Sequence, residues 1–223
     1  VWKKILKTIT KLGHTYDVWR VFNDFLELSA LSVVNSLSLN DDLGKRHEQQ
    51  YSDIMTRYSP EEQKLFPELF SKLVEALEQE VTSSGPSDVL GTLFHELKLH
   101  NKYKGQFFTP QSLGNGIGLS AFGSEQETCI KQQGYISLLE PCCGSGVLAL
   151  GFAKAMANRG FNYCTQLVVT AVDVDIKCVY MCYLQLSLYG IPGIVIHGNT
   201  LALEEWFRWY TPAYVFGGWR RKV

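Results

Sequence analysis

The residues with the most chemical potential in this chain are Glu140-Pro141-Cys142-Cys143-Gly144-Ser145-Gly146. They lie between an apolar, β-like run, Tyr135 to Leu139, and a helix-forming run, Val147 to Asn158. Two glycines accept backbone angles that other residues resist, and they let a ligand come close to the main chain. A helix that starts there presents free N–H groups and the positive end of its dipole. Strand, glycine turn and helix in this order build a ligand crevice at the carboxyl end of a parallel sheet. The residue types then narrow the ligand. No Lys follows Gly146, so the phosphate loop Gly-x-x-x-x-Gly-Lys-Ser/Thr does not fit. Position 149 is Ala, which only the looser dinucleotide fingerprint permits. A carboxylate at Glu140 would repel a pyrophosphate and attract an ammonium group. The turn therefore favours a ligand with an amino-acid end and no phosphate, such as S-adenosylmethionine.

A second acid supports that choice. Gln166 to Val172 reads as a buried, β-branched strand ending at Asp173-Val174-Asp175. An acid at the tip of the second strand is placed to accept hydrogen bonds from ribose hydroxyls. It lies further from Gly144 than the usual spacing of about 20 residues, so the connecting helix and loop must absorb the excess. A third strand, Gly193 to His197, ends at Gly198-Asn199-Thr200, where the polar Asn199 can meet an adenine edge.

Gly105-Gln106-Phe107-Phe108-Thr109-Pro110, the acid-led glycine turn, Asp173-Val174-Asp175 and Gly198-Asn199-Thr200-Leu201 occur in that order. Asp88-Val89-Leu90-Gly91 opens a helix ahead of them. Across roughly residues 87 to 203 the chain resembles the N6-adenine DNA methyltransferases, especially the modification subunit of type I restriction systems. The resemblance implies a Rossmann-like core that binds S-adenosylmethionine, with DNA as the partner. It places Gln106, Phe107, Phe108 and Thr109 in the cofactor site, the last three walling the methionine end. It adds Glu140, Cys142, Gly144, Ser145 and Gly146 from the turn, with Glu140 beside the methionine amine. Asp173 and Val174 would lie at the ribose and Asn199 at the adenine, although the family usually has Asp at that last position.

The family's catalytic Asn/Asp/Ser-Pro-Pro-aromatic motif has no counterpart. The seven prolines stand at 60, 67, 86, 110, 141, 192 and 212, and no two are adjacent. Adenine N6 is a poor nucleophile because its lone pair is delocalised into the ring. In the motif, the Asn side chain and a proline carbonyl accept its N–H groups, and the aromatic ring stacks on the flipped base. Without them a bound cofactor has no positioned partner, and most of the orientation benefit is lost. No catalytic residue is assigned. The expectation is a methyltransferase-like protein inactive by itself. The alternatives are a non-catalytic binding or assembly module, or a fragment of a longer methyltransferase.

The elements that must hold these residues read as an α/β fold. A helical N-terminal domain, 1–86, precedes a cofactor-binding domain, 87–223, with a partial parallel sheet. Ile5, Ile9 and Leu12 give an amphipathic segment closed by Gly13, and Thr15 caps a longer helix through Val18, Phe22, Phe25 and Leu26. Another helix begins near His47. Ser59-Pro60-Glu61-Glu62 is a strong helix start, and that helix carries Leu65, Leu69, Leu73 and Leu77, interrupted near Pro67. Ser83-Ser84-Gly85-Pro86 reads as a linker, with Ser87 capping the next helix through Leu99. Gly114, Gly116 and Gly118 follow no strand and read as a flexible loop.

Three strands are evident after Gly105, and Ala213 to Phe216 is the remaining β-like segment. If no further strand joins, the first strand is an edge. It is then either covered by the aromatic tail (Trp206 to Trp219) or paired in an oligomer.

With 223 residues, 46% hydrophobic content and a formal net charge of −1, the chain has no global drive toward nucleic acid. Any DNA contact would need local patches. Lys3, Lys7 and Lys11 form one stripe and Arg220-Arg221-Lys222 another, both ordinarily solvated surface. No apolar run approaches the roughly 18 residues of a membrane span. The Val-Trp-Lys-Lys start has no signal-peptide pattern. Six cysteines without framework spacing suit reduced thiols in a cytoplasm. Cys178 and Cys182 lie at helical spacing, but nothing has zinc-site spacing, so no metal is expected.

Overall fold

The computed structural model describes residues 1–37, 42–99 and 109–222. Among these, every element before residue 134 is helical. Helix α1 (Trp2–Tyr16) buries Ile5, Ile9 and Leu12. It does not stop at Gly13, whose missing side chain admits Val18, with the Val18 Cα only 2.8 Å from where a Cβ would stand. Asp17, at φ +75°, makes the corner, and its carboxylate accepts the Trp19 N–H. It therefore caps α2 (Val18–Asn35), the role expected of Thr15, which lies inside α1. Helix α2 is buried over most of its length, through Val21, Phe22, Phe25, Leu26 and Leu31.

Helix α3 (Asp42–Met55) starts before His47 and leads to the turn ahead of Ser59. There the buried Asp24 of α2 accepts the Tyr58 hydroxyl at 2.7 Å and the Arg57 guanidinium at 3.0 Å. Ser59 then forms a capping box with Glu62 and Pro60 opens α4 (Pro60–Gln63). The interruption falls at Lys64, before α5 (Leu65–Ser83), which buries Phe66, Leu69, Leu73 and Leu77. Helix α6 (Val89–Glu96) is capped by Asp88, not Ser87, and ends before Leu99.

Gly114, Gly116 and Gly118 form no loop. They lie in α7 (Gln111–Ala121), which is followed by α8 (Ser124–Gln133). Glycine is a poor helix former, and the compensation here is close packing on α9 (Val147–Asn158). A Cβ on Gly118 would stand 2.5 Å from the Phe152 nitrogen, and one on Gly114 would stand 3.0 Å from the Val147 carbonyl oxygen. The two backbones touch where side chains would separate them.

The sheet has four strands in the order β1 (Ile136–Glu140), β2 (Leu167–Asp173), β3 (Gly193–Asn199), β4 (Glu204–Tyr210). The first three are parallel. Helix α9 with the short α10 (Tyr163–Gln166) connects β1 to β2, and α11 (Ile176–Leu188) connects β2 to β3. Strand β4 runs antiparallel to β3, with a register shift at His197/Gly198. The polar, aromatic run of β4 does not read as a strand in the sequence, and Ala213 to Phe216, which does, is not one. It belongs to helix α12 (Pro212–Phe216), where Thr211 is the cap and Pro212 occupies the first turn.

Alternate strand residues serve opposite faces. Leu167, Val169, Ala171, Val195 and Trp209 join α2, α9 and α11 in one continuous apolar cluster. On the other face Val168 packs with Tyr214 and the fully buried Trp219. There the Tyr135 hydroxyl donates to the Lys222 carbonyl at 2.7 Å. The aromatic tail thus covers part of a sheet face. Among the described residues no strand pairs with the outer side of β1, and Leu139 on its uncovered face is 66% exposed.

Candidate functional site

The carboxyl ends of β1, β2 and β3 lie side by side, which brings Glu140, Asp173 and Asn199 to one end of the sheet. Between β1 and α9 the chain turns at Gly144 (φ +52°) and Gly146 (φ +96°), both in the left-handed region that glycine enters without strain. Gly146 is the N-cap of α9 and carries no capping side chain, so first-turn N–H groups are left to other partners. A Cβ on Gly146 would stand 3.2 Å from the Cys182 sulfur. The positive φ and this neighbour together exclude larger residues.

The turn is held from three sides. The Cys143 N–H donates to the Val172 carbonyl at 2.9 Å. The Gly144 N–H donates to Asp173 Oδ2 at 2.9 Å, while Asp173 Oδ1 accepts the Asp175 N–H at 2.9 Å. The Thr200 hydroxyl reaches across to the Pro141 carbonyl at 2.6 Å. Sequence reasoning placed Asp173 at the ribose but did not show that it also braces the glycine turn. Thr200 was overlooked as a brace, and no local signal marks it.

Glu140 and Asp173 are half-buried, and among the described residues neither forms an ion pair with a Lys, Arg or His. Burial pushes both carboxyls above the ordinary carboxylate range, and each is opposed by backbone N–H donors. The charge of Asp173 adds to the rise at Glu140. Two partly desolvated carboxylates without a cation partner among the described residues favour a ligand that brings positive charge and hydroxyl donors. That is the chemistry of a sulfonium, an ammonium and a ribose, so this donor set fits S-adenosylmethionine.

The other sequence-derived residues divide. Thr109 is half-buried just ahead of α7, whereas Gln106, Phe107 and Phe108 lie outside the described residues. Cys142 is exposed at the turn. Val174 is 57% exposed, and its carbonyl is 3.1 Å from His197 Nε2. Asn199 turns its side-chain oxygen onto its own loop, where it accepts the N–H groups of Leu201 and Ala202 at 3.1 and 3.2 Å. The Ser145 side chain is fully buried and donates to Asp88 at 2.5 Å. Beneath the turn, Cys143 is pushed well up by its hydrogen bond with Cys182 and by burial, and burial likewise raises Cys178. Such thiols are poor nucleophiles. Among the described residues no group of three His, Cys, Asp or Glu side chains is arranged to hold a metal ion, and no helix is long and apolar enough to cross a membrane.

A sequence profile described as N-6 DNA methylase matches residues 87–215, from the residue before Asp88 to the penultimate residue of α12. No curated protein matches the chain. The matched span covers more than half of the 223 residues and contains the whole sheet and the glycine turn. The chain belongs to the N-6 DNA methylase family.

Proposed function

We propose that this chain is an S-adenosylmethionine-binding, Rossmann-like core of a DNA adenine-N6 modification system of the type I kind, unable to methylate DNA by itself. The observation that carries the reading is the pair of half-buried carboxylates, Glu140 and Asp173, without a cation partner among the described residues, flanking a left-handed glycine turn in a chain of this family. Glu140 would take the methionine ammonium. Asp173 would accept ribose hydroxyls through lone pairs left over from its bonds to Gly144 and Asp175. Asn199, its oxygen already engaged, would offer its amide N–H to an adenine ring nitrogen. Gln106, Phe107, Phe108 and Thr109 would close the methionine end, with Cys142, Gly144, Ser145, Gly146 and Val174 shaping the rest. When bound, the cofactor supplies an electrophilic methyl group. The protein must then hold it and align an acceptor, and no Pro-Pro motif is present to do the second. In this reading the helices of 1–86 form the N-terminal unit ahead of the cofactor unit of 87–223, the two sharing the apolar cluster in which α2 meets α11 and the sheet.

The test uses cofactor with a labelled methyl group, incubated with the full chain and duplex DNA. Label should be retained by the protein and should not pass into DNA adenine. Robust transfer by the isolated chain, abolished by a change at Glu140, would show that another group replaces the missing motif. Failure to retain label would remove the cofactor reading.

We also propose self-association along β1. Its edge, unpaired among the described residues, and the exposed Leu139 would meet those of a second copy. Pairing of two β1 strands would extend the sheet across both copies and cover Leu139 of each. Sedimentation should show a dimer that becomes a monomer on Leu139→Asp. A monomer at all concentrations would contradict this pairing.

A further inference from the structure

Asp88 is 5% exposed, and it joins four parts of the fold. Its Oδ1 accepts the Gly91 N–H at 2.8 Å, capping α6, and the side-chain amide of Gln185 on α11 at 2.9 Å. Its Oδ2 accepts the Ser145 hydroxyl of the glycine turn at 2.5 Å. Its own N–H donates to the side-chain oxygen of Gln111, the first residue of α7, at 2.5 Å. Gln185, fully buried, completes the lattice by donating to the Ser145 carbonyl at 2.8 Å and accepting the Leu90 N–H at 3.1 Å. Gly91 is required for this approach, since a Cβ there would stand 2.6 Å from the Asp88 carboxyl carbon.

Ser145 lies in the turn after β1, and Gln111 opens α7 directly after Thr109-Pro110. We propose that Asp88 is a positioning residue that ties the glycine turn to the start of α7, its carboxylate fixing the first and its main chain fixing the second. This rests on the cofactor reading above. Glycine-rich turns lose much conformational freedom on ordering, and a turn fixed in advance leaves less to be ordered when ligand binds. The network needs polarity at position 88 and no charge. An Asn would keep the acceptor for Gly91 and Gln185 and donate to the Ser145 hydroxyl, whose proton can rotate away.

The experiment uses the full chain and three variants, Asp88→Ala, Asp88→Asn and Gln111→Ala, with Leu73→Ala in α5 as a control for general destabilisation. Two quantities are read: affinity for S-adenosylmethionine, and amide exchange at Gly144 and Gly146 in the turn and at Leu113 and Gly114 in α7. Asp88→Ala should speed exchange at both places and weaken binding by about tenfold or more, the order expected when buried donors lose their acceptor. Asp88→Asn should restore both to nearly the wild-type values. Gln111→Ala should speed exchange only in α7, with a smaller loss of affinity. Should Asp88→Ala not fold, Asp88→Asn and Gln111→Ala carry the test. Unchanged exchange at Leu113 and Gly114 in Gln111→Ala would overturn the proposal. So would equal losses in Asp88→Ala and Asp88→Asn, or an equal loss of affinity in Leu73→Ala. If the wild-type chain takes up no cofactor, the cofactor reading fails, and the exchange rates alone decide the coupling.

Discussion

Gly151→Ala should cost this fold about 3 kcal/mol or more, despite replacing glycine by the best helix former. Gly151 faces α7 in the middle of α9, and a Cβ there would press on the Gly114 carbonyl group, with its carbon only 2.7 Å away. Those are backbone atoms of a packed helix, so nothing can rotate aside, and α7 must move off α9. A loss of this size lowers the melting temperature of a chain this long by roughly 10 °C. Gly116 provides the contrast. It lies in the same glycine run, but no described atom lies within 4 Å of its would-be Cβ. Gly116→Ala should stabilise the protein by up to about 1 kcal/mol, because only the helix preference changes. Thermal unfolding of the two variants decides the matter. Destabilisation by both, or by neither, would show that α7 does not pack on α9 through its glycines.

Asp173→Ala should weaken S-adenosylmethionine binding by about 1.5–3 kcal/mol, the usual worth of hydrogen bonds to a charged acceptor. Two effects add: the ribose loses its acceptor, and the Gly144 N–H loses its brace. The pH dependence follows from the same carboxylates. Burial raises Glu140 and Asp173 above the ordinary carboxylate range in the free protein. A cationic ligand binds their ionised forms, so affinity should be fully present above the raised values and lost as pH falls through them. Asp173→Ala should remove part of that dependence. For the unliganded protein the sign is opposite. Groups whose folded-state pKa is raised bind protons more tightly when folded, so stability falls as pH rises from the ordinary carboxylate range through the raised one. Cofactor affinity and, without cofactor, thermal stability, each measured from the ordinary carboxylate range up to neutral pH on wild type and Asp173→Ala, test both. A flat wild-type profile would exclude carboxylate–cation recognition.

The strand–turn–helix unit around Gly144 was legible in the sequence because each local preference agreed with the tertiary role. Apolar residues led into β1, glycines took the left-handed turn, and Val147–Asn158 formed α9. Strands β2 and β3 were legible for the same reason, being β-branched and buried. Strand β4 was not. Its residues Glu204-Glu205-Trp206-Phe207-Arg208-Trp209-Tyr210 are mostly exposed, and pairing with β3 holds them in place. Helix α7 was hidden by its own glycines, which look like a loop until the backbone of α9 lies against them. The spacing of Gly114 and Gly118 by one helical turn was the available signal, with Gly151 as its counterpart. The bond between Asp88 and Ser145 spans 57 residues, and no local pattern encodes such a contact.

The central claim is that the carboxyl end of the sheet, at the glycine turn and Asp173, takes S-adenosylmethionine. Calorimetric titration of the full chain with S-adenosylmethionine, carried to millimolar ligand at neutral pH, tests it most directly. The account predicts a saturable, single-site heat that is strongly weakened in Asp173→Ala. No detectable heat at millimolar ligand, or the same isotherm from the variant, would contradict it.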